Sequence, residues 1–589
     1  MQGQDFAFYG RQAIIKSDGS IPTESAQLTY SSLFKRLVKD HLAILREKDS
    51  PLLAVIPDGL SDDQQDALVL KLLQELSMNT KEEVTTDNSS LAPFFEDIEM
   101  LHQFVEQLYN YWRNYERFFV HYSQSKGENK VPAKKTPYRT FQVTIESLNH
   151  LVRKVYRDIA KNITHHHLRI YRQMPAGAQV GLIVSEEEWN CPSTYDHLKK
   201  IPFIRRLLIE PPLIIDPPMN KRNGQFSQVK ENPIADVDFT DGDWLCYPAK
   251  VGDLLIHLFF HNKFIGLGTA CANLFDLAEE EDLKRKPDAI YAYGVPAEKL
   301  KRFGDLPTVF YEDDDNGIMV GAVPDGDEFG YFGYVKKMML TLHNIIQMKR
   351  GRIPLHGAMV RISLKDGKSA NIIIVGDSGA GKSESLEAFR VLADKHIRDM
   401  VIVFDDMGSL ELTDDGKLKA YGTETGAFVR LDDLQPGFAF GNLDRSIIMS
   451  PQKINARAVL PVTTIEEVLR GNSVDYFLYA NNYEEVDDDH PFFQEFSEPE
   501  EAMAVFKKGA RIGKGTTTET GLVQTYFANI FGPAQYKELH DGLAPKFFKA
   551  LFDSGVRVAE LRTRLAIPGF ENKGPETAAE ALFDVIRNS

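Results

Sequence analysis

The clearest hydrophobic pattern in the chain lies between positions 371 and 392. Four consecutive apolar residues that favour β-structure, at 372–375, are followed by a glycine-rich stretch at 376–381. After this stretch, apolar residues recur at helical spacing at Leu386, Phe389 and Leu392. The pattern predicts a buried parallel strand, a tight loop and a helix in direct succession. We call residues 376–381 the glycine loop.

The first 230 residues show mainly helical patterns. Apolar residues recur at helical spacing over residues 62–76, 94–122 and 140–163, which predicts amphipathic helices whose aromatic side chains form packing core. Residues 52–56 predict a short strand, and the polar run at 79–90 predicts a linker. A proline-rich stretch around residues 211–218 then indicates a domain boundary between about 180 and 230.

From about residue 230 the pattern changes to short strands, turns and helices. Residues 358–362 and 372–375 predict two strands joined by a turn at 365–368. Residues 400–404 predict another strand, which ends at the acidic pair Asp405 and Asp406. The end of such a strand is where an α/β nucleotide site needs its second acidic group.

Composition places the chain among ordinary globular proteins. Its 589 residues are too many for one hydrophobic core, so two or more domains are expected. The net charge of -17 argues against a general nucleic-acid or membrane-surface binder, and no apolar run reaches the length of a membrane span. The three cysteines lack C-x-x-C spacing and indicate neither disulfides nor zinc. We therefore predict a cytoplasmic protein.

The glycine loop and the two residues after it match G-x-x-x-x-G-K-[ST], the P-loop of nucleotide-binding proteins. Glycines allow backbone N–H groups to surround phosphate oxygens, and the following helix adds positive potential. Lys382 would neutralise the β and γ phosphates, and the Ser383 hydroxyl can bind Mg²⁺. The predicted site for ATP and Mg²⁺ consists of Gly376, Asp377, Ser378, Gly379, Ala380, Gly381, Lys382, Ser383 and Glu384.

Further motifs surround the glycine loop in a fixed order. They are G-Y-F-G-Y-V-K-K at 330–337, P-L-H-G at 354–357, F-D-D at 404–406, N-A-R at 455–457 followed by Pro461, G-T-T-T-E-T-G at 515–521 and F-A-N-I-F-G at 527–532. In this order they resemble phosphoenolpyruvate carboxykinase. The loop itself, G-D-S-G-A-G-K-S-E, is similar to that of the bacterial HPr kinase/phosphorylase, a related protein kinase. From about residue 241 onward, the chain is identified as a member of the superfamily that these two share.

This resemblance implies a transition-metal site beside the γ-phosphate. Lys337, His356 and Asp406 match the positions by which carboxykinases bind Mn²⁺, and a lysine can take part only as an uncharged amine. Arg457 would contact the transferred phosphoryl group or an acidic substrate, and Lys336 would add positive charge nearby.

Asp405 and residues 513–521 complete the expected site. If the acceptor is a hydroxyl, Asp405 would accept its proton, as the resemblance to HPr kinase implies. If the acceptor is an enolate made by decarboxylation, no base is needed and Asp405 would only order metal-bound water. Residues 513–521 would close as a lid and exclude water from the γ-phosphate.

Other parts of the carboxykinase pattern are absent. Tyr334 stands where the family has glutamate, and no G-R-S-P segment, which supplies the arginine for oxaloacetate, occurs in the first 230 residues. Residues 221–224 (K-R-N-G) are its nearest substitute, and residues 561–564 (L-R-T-R) lie near the place of the missing nucleotide-binding segment. The phosphate and metal parts are kept while the acid-substrate and base-recognition parts differ, as expected for a changed substrate.

We therefore predict an α/β fold with a two-lobed carboxykinase-like core, formed by residues 230–350 and the P-loop lobe 351–589, after a mainly helical region at 1–229. The predicted activity is an ATP- and divalent-metal-dependent phosphotransferase, a kinase whose acceptor is a hydroxyl on a small molecule or a protein. The alternatives are a phosphoenolpyruvate carboxykinase, which releases CO₂ from oxaloacetate, and a nucleotide-gated binding protein without turnover. We expect no nucleic-acid or membrane partner.

Overall fold

The computed structural model divides the chain into two compact units, Met1–Glu186 with Ile204–Glu210, and Glu187–Phe203 with Pro211–Ser589. It describes residues 6–17, 21–123, 137–166, 170, 172–305, 307–377, 379–382, 384–385, 388–389, 397–431, 442–514, 520–530, 536–571 and 573–588. Both units contain helices and strands, so the predicted α/β class is confirmed. Within these ranges, no helix combines the length and apolarity needed to cross a membrane.

The helices and strands of both units are numbered in chain order. The described α-helices are α1 Ser25–Thr29, α2 Ser32–Glu47, α3 Asp62–Leu76, α4 Lys81–Asp87, α5 Ile98–Arg113, α6 Pro137–Thr164, α7 Ile265–Ala270, α8 Ala297–Leu300, α9 Phe332–Lys349, α10 Ile465–Leu469, α11 Pro499–Lys508, α12 Lys537–Asp553 and α13 Lys573–Asn588. The described strands are β1 Phe6–Tyr9, β2 Gln12–Ser17, β3 Glu116–Tyr122, β4 Val180–Ser185, β5 Phe203–Ile209, β6 Leu213–Ile215, β7 Ser227–Val229, β8 Trp244–Val251, β9 Leu254–His261, β10 Asp276–Leu277, β11 Ala289–Val295, β12 Val309–Asp313, β13 Ile318–Pro324, β14 Ile353–Leu364, β15 Ser369–Val375, β16 Ile397–Leu412, β17 Leu418–Gly422, β18 Gly426–Arg430, β19 Ile447–Met449, β20 Arg457–Pro461, β21 Tyr476–Asn481, β22 Phe493–Glu495, β23 Ala510–Lys514, β24 Thr520–Gln524 and β25 Arg557–Arg562.

The first unit packs helices α1–α6 with a sheet in the order β1-β2-β3-β4-β5. The apolar stripe of α5 is buried at Leu101, Phe104 and Leu108, as its spacing requires. The predicted helices at 62–76 and 140–163 are confirmed as α3 and α6. Helices form most of the regular structure of this unit, but its sheet was not predicted from the sequence.

Three sequence predictions in the first unit are wrong. Residues 52–56 are not a strand, because Pro51–Val55 forms a 3₁₀ helix. The supposed linker at 79–90 contains α4, whose capping box joins Thr80 and Glu83 by reciprocal hydrogen bonds. The helical pattern at 94–122 ends with α5 at Arg113, and the remaining aromatic residues form β3. The basic, proline-containing stretch at 127–136, which the sequence predicts to be a solvated loop, lies outside the described residues.

In the second unit, α9 lies among strands ordered β8-β9-β11-β13-β12-β7. This helix contacts β8, β11 and β13, and also β14 of the neighbouring sheet. Most of its side chains are therefore buried, including that of Lys336. A charged side chain inside such a helix needs charged or polar partners nearby.

The glycine loop directly follows β15, which belongs to a second sheet in this unit. The strand order of this sheet is β17-β16-β14-β15-β21-β25-β22. The strands predicted at 358–362 and 372–375 lie within β14 and β15, which pair antiparallel, while β15 pairs parallel with β21. One prediction needs correction: the strand assigned to 400–404 does not end before the acidic pair. β16 continues through Asp405 and Asp406, because both residues stay paired with β14.

Candidate functional site

The H-G motif lies on β14 between the strand that leads to the glycine loop and the strand that carries the acidic pair. Gly357 is opposite Val375 on one side and Asp406 on the other. A β-carbon at Gly357 would stand 2.7 Å from the carbonyl oxygen of Ile374, so only glycine permits this close pairing. The His356 carbonyl accepts a 3.0 Å hydrogen bond from the N–H of Gly376, the first residue of the loop.

The glycine loop is held from its outer side by two polar side chains. Asn482 donates to the Gly379 carbonyl at 2.9 Å, and the Thr563 hydroxyl donates to the Ala380 carbonyl at 2.8 Å. Because C=O and N–H of one trans peptide point in opposite directions, the N–H of Gly381 faces away from Thr563. Gly381 has a φ of +98°, and a β-carbon there would stand 2.7 Å from the Thr563 hydroxyl. The loop therefore requires glycine at this position.

Lys382 and the following residues begin a helix directly after the loop. The buried Lys382 ammonium donates to the carbonyls of Gly376 at 2.7 Å and Asp377 at 3.3 Å. The N–H of Ser385 donates to the Gly381 carbonyl at 2.9 Å, the spacing of a helical turn. Two residues of the predicted nucleotide site, Ser378 and Ser383, lie outside the described residues, and Glu384 is half-buried in the first turn.

Asp377 is a buried acid whose partners were not recognised in the sequence. Its carboxylate accepts a hydrogen bond from Arg511 Nε at 2.8 Å and one from Thr525 at 3.4 Å. Burial would raise the pKa of Asp377, but His356 and Arg511 together hold the pKa below its ordinary value. Arg511 lies on β23 and Thr525 directly follows β24, so these contacts connect the β23–β24 hairpin to the loop.

The β23–β24 hairpin also contains the segment predicted as a lid. Gly513 pairs with Gly521 near the end of the ladder. Residues 515–519 lie outside the described residues. The hydroxyl of Thr525 and the guanidinium of Arg511 thus join the base of the hairpin to Asp377.

His356 and Asp406 are in direct contact. Nε2 of His356 lies 2.9 Å from Oδ1 of Asp406, and Nδ1 lies 2.5 Å from the Ala528 carbonyl. A carbonyl oxygen can only accept, so Nδ1 carries a proton. Nε2 then has two possible states: in the protonated ring it donates a hydrogen bond to the Asp406 carboxylate, whereas in the neutral ring it presents a lone pair that a cation could share with the carboxylate.

The backbone is strained on both sides of this contact. Asp406 has a φ of +137°, and Phe527, Ala528 and Asn529 have successive φ values of +45°, +55° and +61°. Residues other than glycine rarely adopt positive φ, and such strain collects at functional sites. Here it directs the Asp406 carboxylate and the Ala528 carbonyl to opposite nitrogens of one imidazole.

Lys336 joins the half-buried Asp406 to a fully buried acid, Glu424. Its ammonium lies 2.6 Å from Oδ2 of Asp406 and 3.5 Å from Oε1 of Glu424. Burial would raise the pKa of Asp406, but Lys336 and His356 hold it well below its usual range. Burial raises the pKa of Glu424. Glu424 is fully buried, but it belongs to none of the sequence motifs and was therefore not predicted as a site residue. We call Lys336, His356, Asp406 and Glu424 the charged cluster.

The predicted metal ligand Lys337 lies on α9 next to Lys336 and is half-buried. Burial, reinforced by the nearby positive charge of Arg222, lowers the pKa of Lys337 to about 8, while the negative charges of Asp406 and Asp377 oppose this effect. A minor fraction of the amine, on the order of a tenth, is therefore uncharged at pH 7.

Asp405 and Arg457 differ in their relation to the charged cluster. Asp405 is half-buried, and its negative charge contributes to raising the pKa of Lys336. The Arg457 guanidinium lies over the ring of Phe428 at 5.4 Å, and Phe428 contacts Phe332 at the start of α9. Among the described hydrogen bonds and ion pairs, none joins Arg457 to Lys382 or Asp406.

One pair of donors in the charged cluster has a spacing that a shared divalent cation would require. The separation of 2.9 Å between His356 Nε2 and Asp406 Oδ1 is close to that of two ligands at right angles about an ion ~2.1 Å from each. Within the described ranges, no three His, Cys, Asp or Glu side chains are arranged to hold a metal ion. Such a site therefore needs further donors, such as the uncharged amine of Lys337.

The membership predicted from the motifs finds no support in comparisons with known proteins. No protein-family model matches the chain. No curated protein matches it.

Proposed function

We propose that this protein is a divalent-metal-dependent phosphotransferase of carboxykinase-like fold, which transfers the γ-phosphoryl group of ATP to a hydroxyl acceptor. One observation carries the proposal: His356 hydrogen-bonds the first residue of the glycine loop through its carbonyl and contacts Asp406 through its ring. The glycine loop, which would bind phosphate, and the charged cluster, which would bind a cation, therefore share one residue. Phosphoryl transfer depends on this proximity, because positioning and charge stabilisation supply most of its catalysis.

Each residue of the site has a role in this proposal. The Gly381 N–H and the Lys382 ammonium would bind the transferred phosphate, and Asp405 would accept the proton of the acceptor hydroxyl. His356, Asp406 and Lys337 would hold Mn²⁺, while Ser383 would bind the Mg²⁺ of the nucleotide. When bound, these cations neutralise charge on the phosphates.

The remaining residues would position these groups. Lys336 would keep Asp406 ionised and oriented, since their ion pair is buried. Residues 513–521 would close over the γ-phosphate, as expected for a lid. Arg457 would neutralise charge on the acceptor side.

A carboxykinase activity on oxaloacetate is the second candidate, and one observation favours it. Arg222, in the K-R-N-G segment, lies close enough to Lys337 for its charge to lower the pKa of that lysine. Arg222 donates to the Gly224 carbonyl at 2.6 Å and stacks on Phe226. A guanidinium held beside the metal-binding residues would suit an acidic substrate.

Incubation with γ-labelled ATP, Mg²⁺ and Mn²⁺ tests the proposal. Label transfer to L-serine, a polyol or a serine-containing peptide supports a kinase, whereas phosphoenolpyruvate formed from oxaloacetate supports the second candidate. Lys382→Ala should reduce transfer by about 10²–10³-fold, because one charge-stabilising donor is lost. Lys546→Ala, at an exposed position, is the matched control. ATP binding that depends on Lys382 without turnover on any acceptor would show a binding protein and contradict the proposal.

A further inference from the structure

The first unit contains a partly open cavity with no role in the proposed function. Its volume is about 360 Å³, within the range of about 300–1,000 Å³ found for small-molecule sites. The walls come from β2, β3 and helices α2, α3, α5 and α6. Because every lining residue belongs to the first unit, the cavity can be studied separately from the glycine loop.

The cavity is lined mostly by apolar and aromatic side chains. Leu37, Leu148 and Phe119 are buried members of its wall. Tyr109 and Tyr156 form a flat section of the wall, with their rings stacked at 3.9 Å between centroids and 6° between planes. An apolar cavity of this size in a close-packed interior favours an apolar ligand over ordered water.

The polar lining residues favour negative charge. Among the described lining residues, Lys16 is the only charged side chain, although the chain as a whole carries a net charge of -17. Ser31 and Ser32, the N-cap and first residue of α2, also line the cavity. This helix has 16 residues, and its N-terminus carries positive potential. An anion is therefore favoured over a cation at these polar positions.

We propose that this cavity binds an amphipathic monoanion, a hydrocarbon chain with a carboxylate head group. The chain would occupy the space between the sheet and helices α5 and α6, and the head group would lie near Lys16 and the N-terminus of α2. Apolar burial supplies the affinity, and the lysine selects the sign of the charge.

Tryptophan fluorescence offers a direct test with the full-length protein. Trp112 lines the cavity, whereas Trp189 and Trp244, the other two tryptophans, are buried in the second unit. Addition of ω-bromoundecanoate, whose bromine quenches nearby indoles, should quench the emission saturably. Trp112→Phe should remove the quenched component. Absence of saturable quenching, or quenching unchanged in Trp112→Phe, overturns the proposal.

A cavity-filling variant and a matched control locate the bound chain. Val152 on α6 lines the cavity, whereas Val143 on the same helix is 54% exposed. Val152→Phe should weaken the binding of ω-bromoundecanoate at least about tenfold, because the added ring occupies the site. Val143→Phe should bind it as the unmodified protein does. Equal affinity of both variants would place the ligand elsewhere and overturn the proposal.

The head-group preference is tested with Lys16→Met, which also serves if Val152→Phe fails to fold. The unmodified protein should bind ω-bromoundecanoate about tenfold more tightly than the neutral ω-bromoundecanol, since one charge-assisted contact is gained. Lys16→Met should bind the two compounds equally. An alcohol that binds as well as the carboxylate in the unmodified protein overturns the assignment of an anionic ligand.

Discussion

The two units bury a positive charge in different ways. In the first unit, Arg117 is 2% exposed, and its guanidinium donates to backbone carbonyls, including those of Gly177 at 2.7 Å and Arg113 at 2.6 Å. In the second unit, Lys336 is 3% exposed and contacts the carboxylates of Asp406 and Glu424. Arg117 is stabilised by neutral dipoles, whereas Lys336 is stabilised by opposite charges.

This difference suits two different roles. We call Arg117 the structural cation, and we call Lys336 the site cation because it belongs to the candidate functional site. Burial, with a smaller effect of Arg113, lowers the pKa of Arg117 to about 10, so its guanidinium stays charged at neutral pH and holds chain segments together. Around Lys336, burial and charge move the pKa values of Asp406 and Glu424 in opposite directions. Acids with divergent pKa values in one cluster are typical of catalytic and ligand-binding sites.

Replacement of the site cation should have the largest effect. Lys336→Met leaves the fully buried Glu424 and the half-buried Asp406 without their cation, so we expect a loss of about 3–5 kcal/mol in the free energy of unfolding. Phosphoryl transfer should fall by at least about 100-fold. Chemical denaturation and the labelled-ATP assay measure these two effects. The double variant Lys336→Met, Glu424→Gln should recover part of the stability, and a single variant that keeps full activity would contradict the distinction.

Replacement of the structural cation should affect stability alone. Arg117→Met leaves several buried carbonyls without a donor, which should cost at least about 3 kcal/mol in the free energy of unfolding. Activity of the folded fraction should stay within about twofold, because every residue of the proposed phosphotransfer site belongs to the second unit. The same two measurements serve here, and a selective loss of turnover would assign Arg117 a role in catalysis.

Buried histidines of the two units differ in their hydrogen bonds, and this difference predicts how stability depends on pH. His356 has a partner at each ring nitrogen, whereas Nε2 of the buried His41 has no hydrogen-bond partner among the described residues. Burial lowers the pKa of His41 from 6.5 to about 4. Below pH 6.5 the unfolded chain gains a proton that the folded chain does not. His41 alone should therefore lower the stability by about 3 kcal/mol between pH 6.5 and 4.

The variant His41→Leu should lose less stability over this pH interval, measured by urea denaturation at several pH values. His150→Leu, at an exposed position of the same unit, is the control and should keep the original slope. An unchanged pH dependence in His41→Leu would mean that other groups cause the acid sensitivity.

Two glycines with matching backbone angles give the smallest predicted difference. Gly381 in the glycine loop has φ +98° and lies against Thr563, whereas Gly367 in the turn between β14 and β15 has φ +97° and open space around it. Gly367→Ala should cost about 1–2 kcal/mol from the backbone angle alone. Gly381→Ala should cost about 1–3 kcal/mol more from crowding and should weaken ATP binding. Thermal unfolding and ATP titration measure both, and equal effects would show that Thr563 does not constrain the loop.

Local features of the fold could be predicted because short-range physics determines them. The apolar period of α3 and the turn between β14 and β15 depend on neighbouring residues, and both were predicted. The capping box of α4 at Thr80 and Glu83 was also present as a signal but was overlooked. Apart from the β1–β2 hairpin, the sheet of the first unit pairs strands distant in sequence, such as β2 with β3, so its pattern was hidden by the helices between them.

The candidate site likewise contains residues that the sequence motifs predict and residues that they do not. Motifs on β14 and β16 meet because these strands are neighbours, and this brings His356 to Asp406. Glu424 and Arg511 belong to no recognised motif, and an isolated acid or arginine usually indicates a solvated surface. Only the packing of α9, and of the β23–β24 hairpin against the glycine loop, turns them into buried partners of Lys336 and Asp377.

The carbonyl of Ala528 also limits what the imidazole of His356 can do. Since that carbonyl occupies the protonated nitrogen, the ring cannot relay a proton between solvent and a reacting hydroxyl. In a phosphotransferase built this way, the ring would act as a fixed electron-pair donor, and protons would have to leave by a different route. In the proposed phosphotransferase, Asp405, which precedes Asp406 on the same strand, would take up that proton.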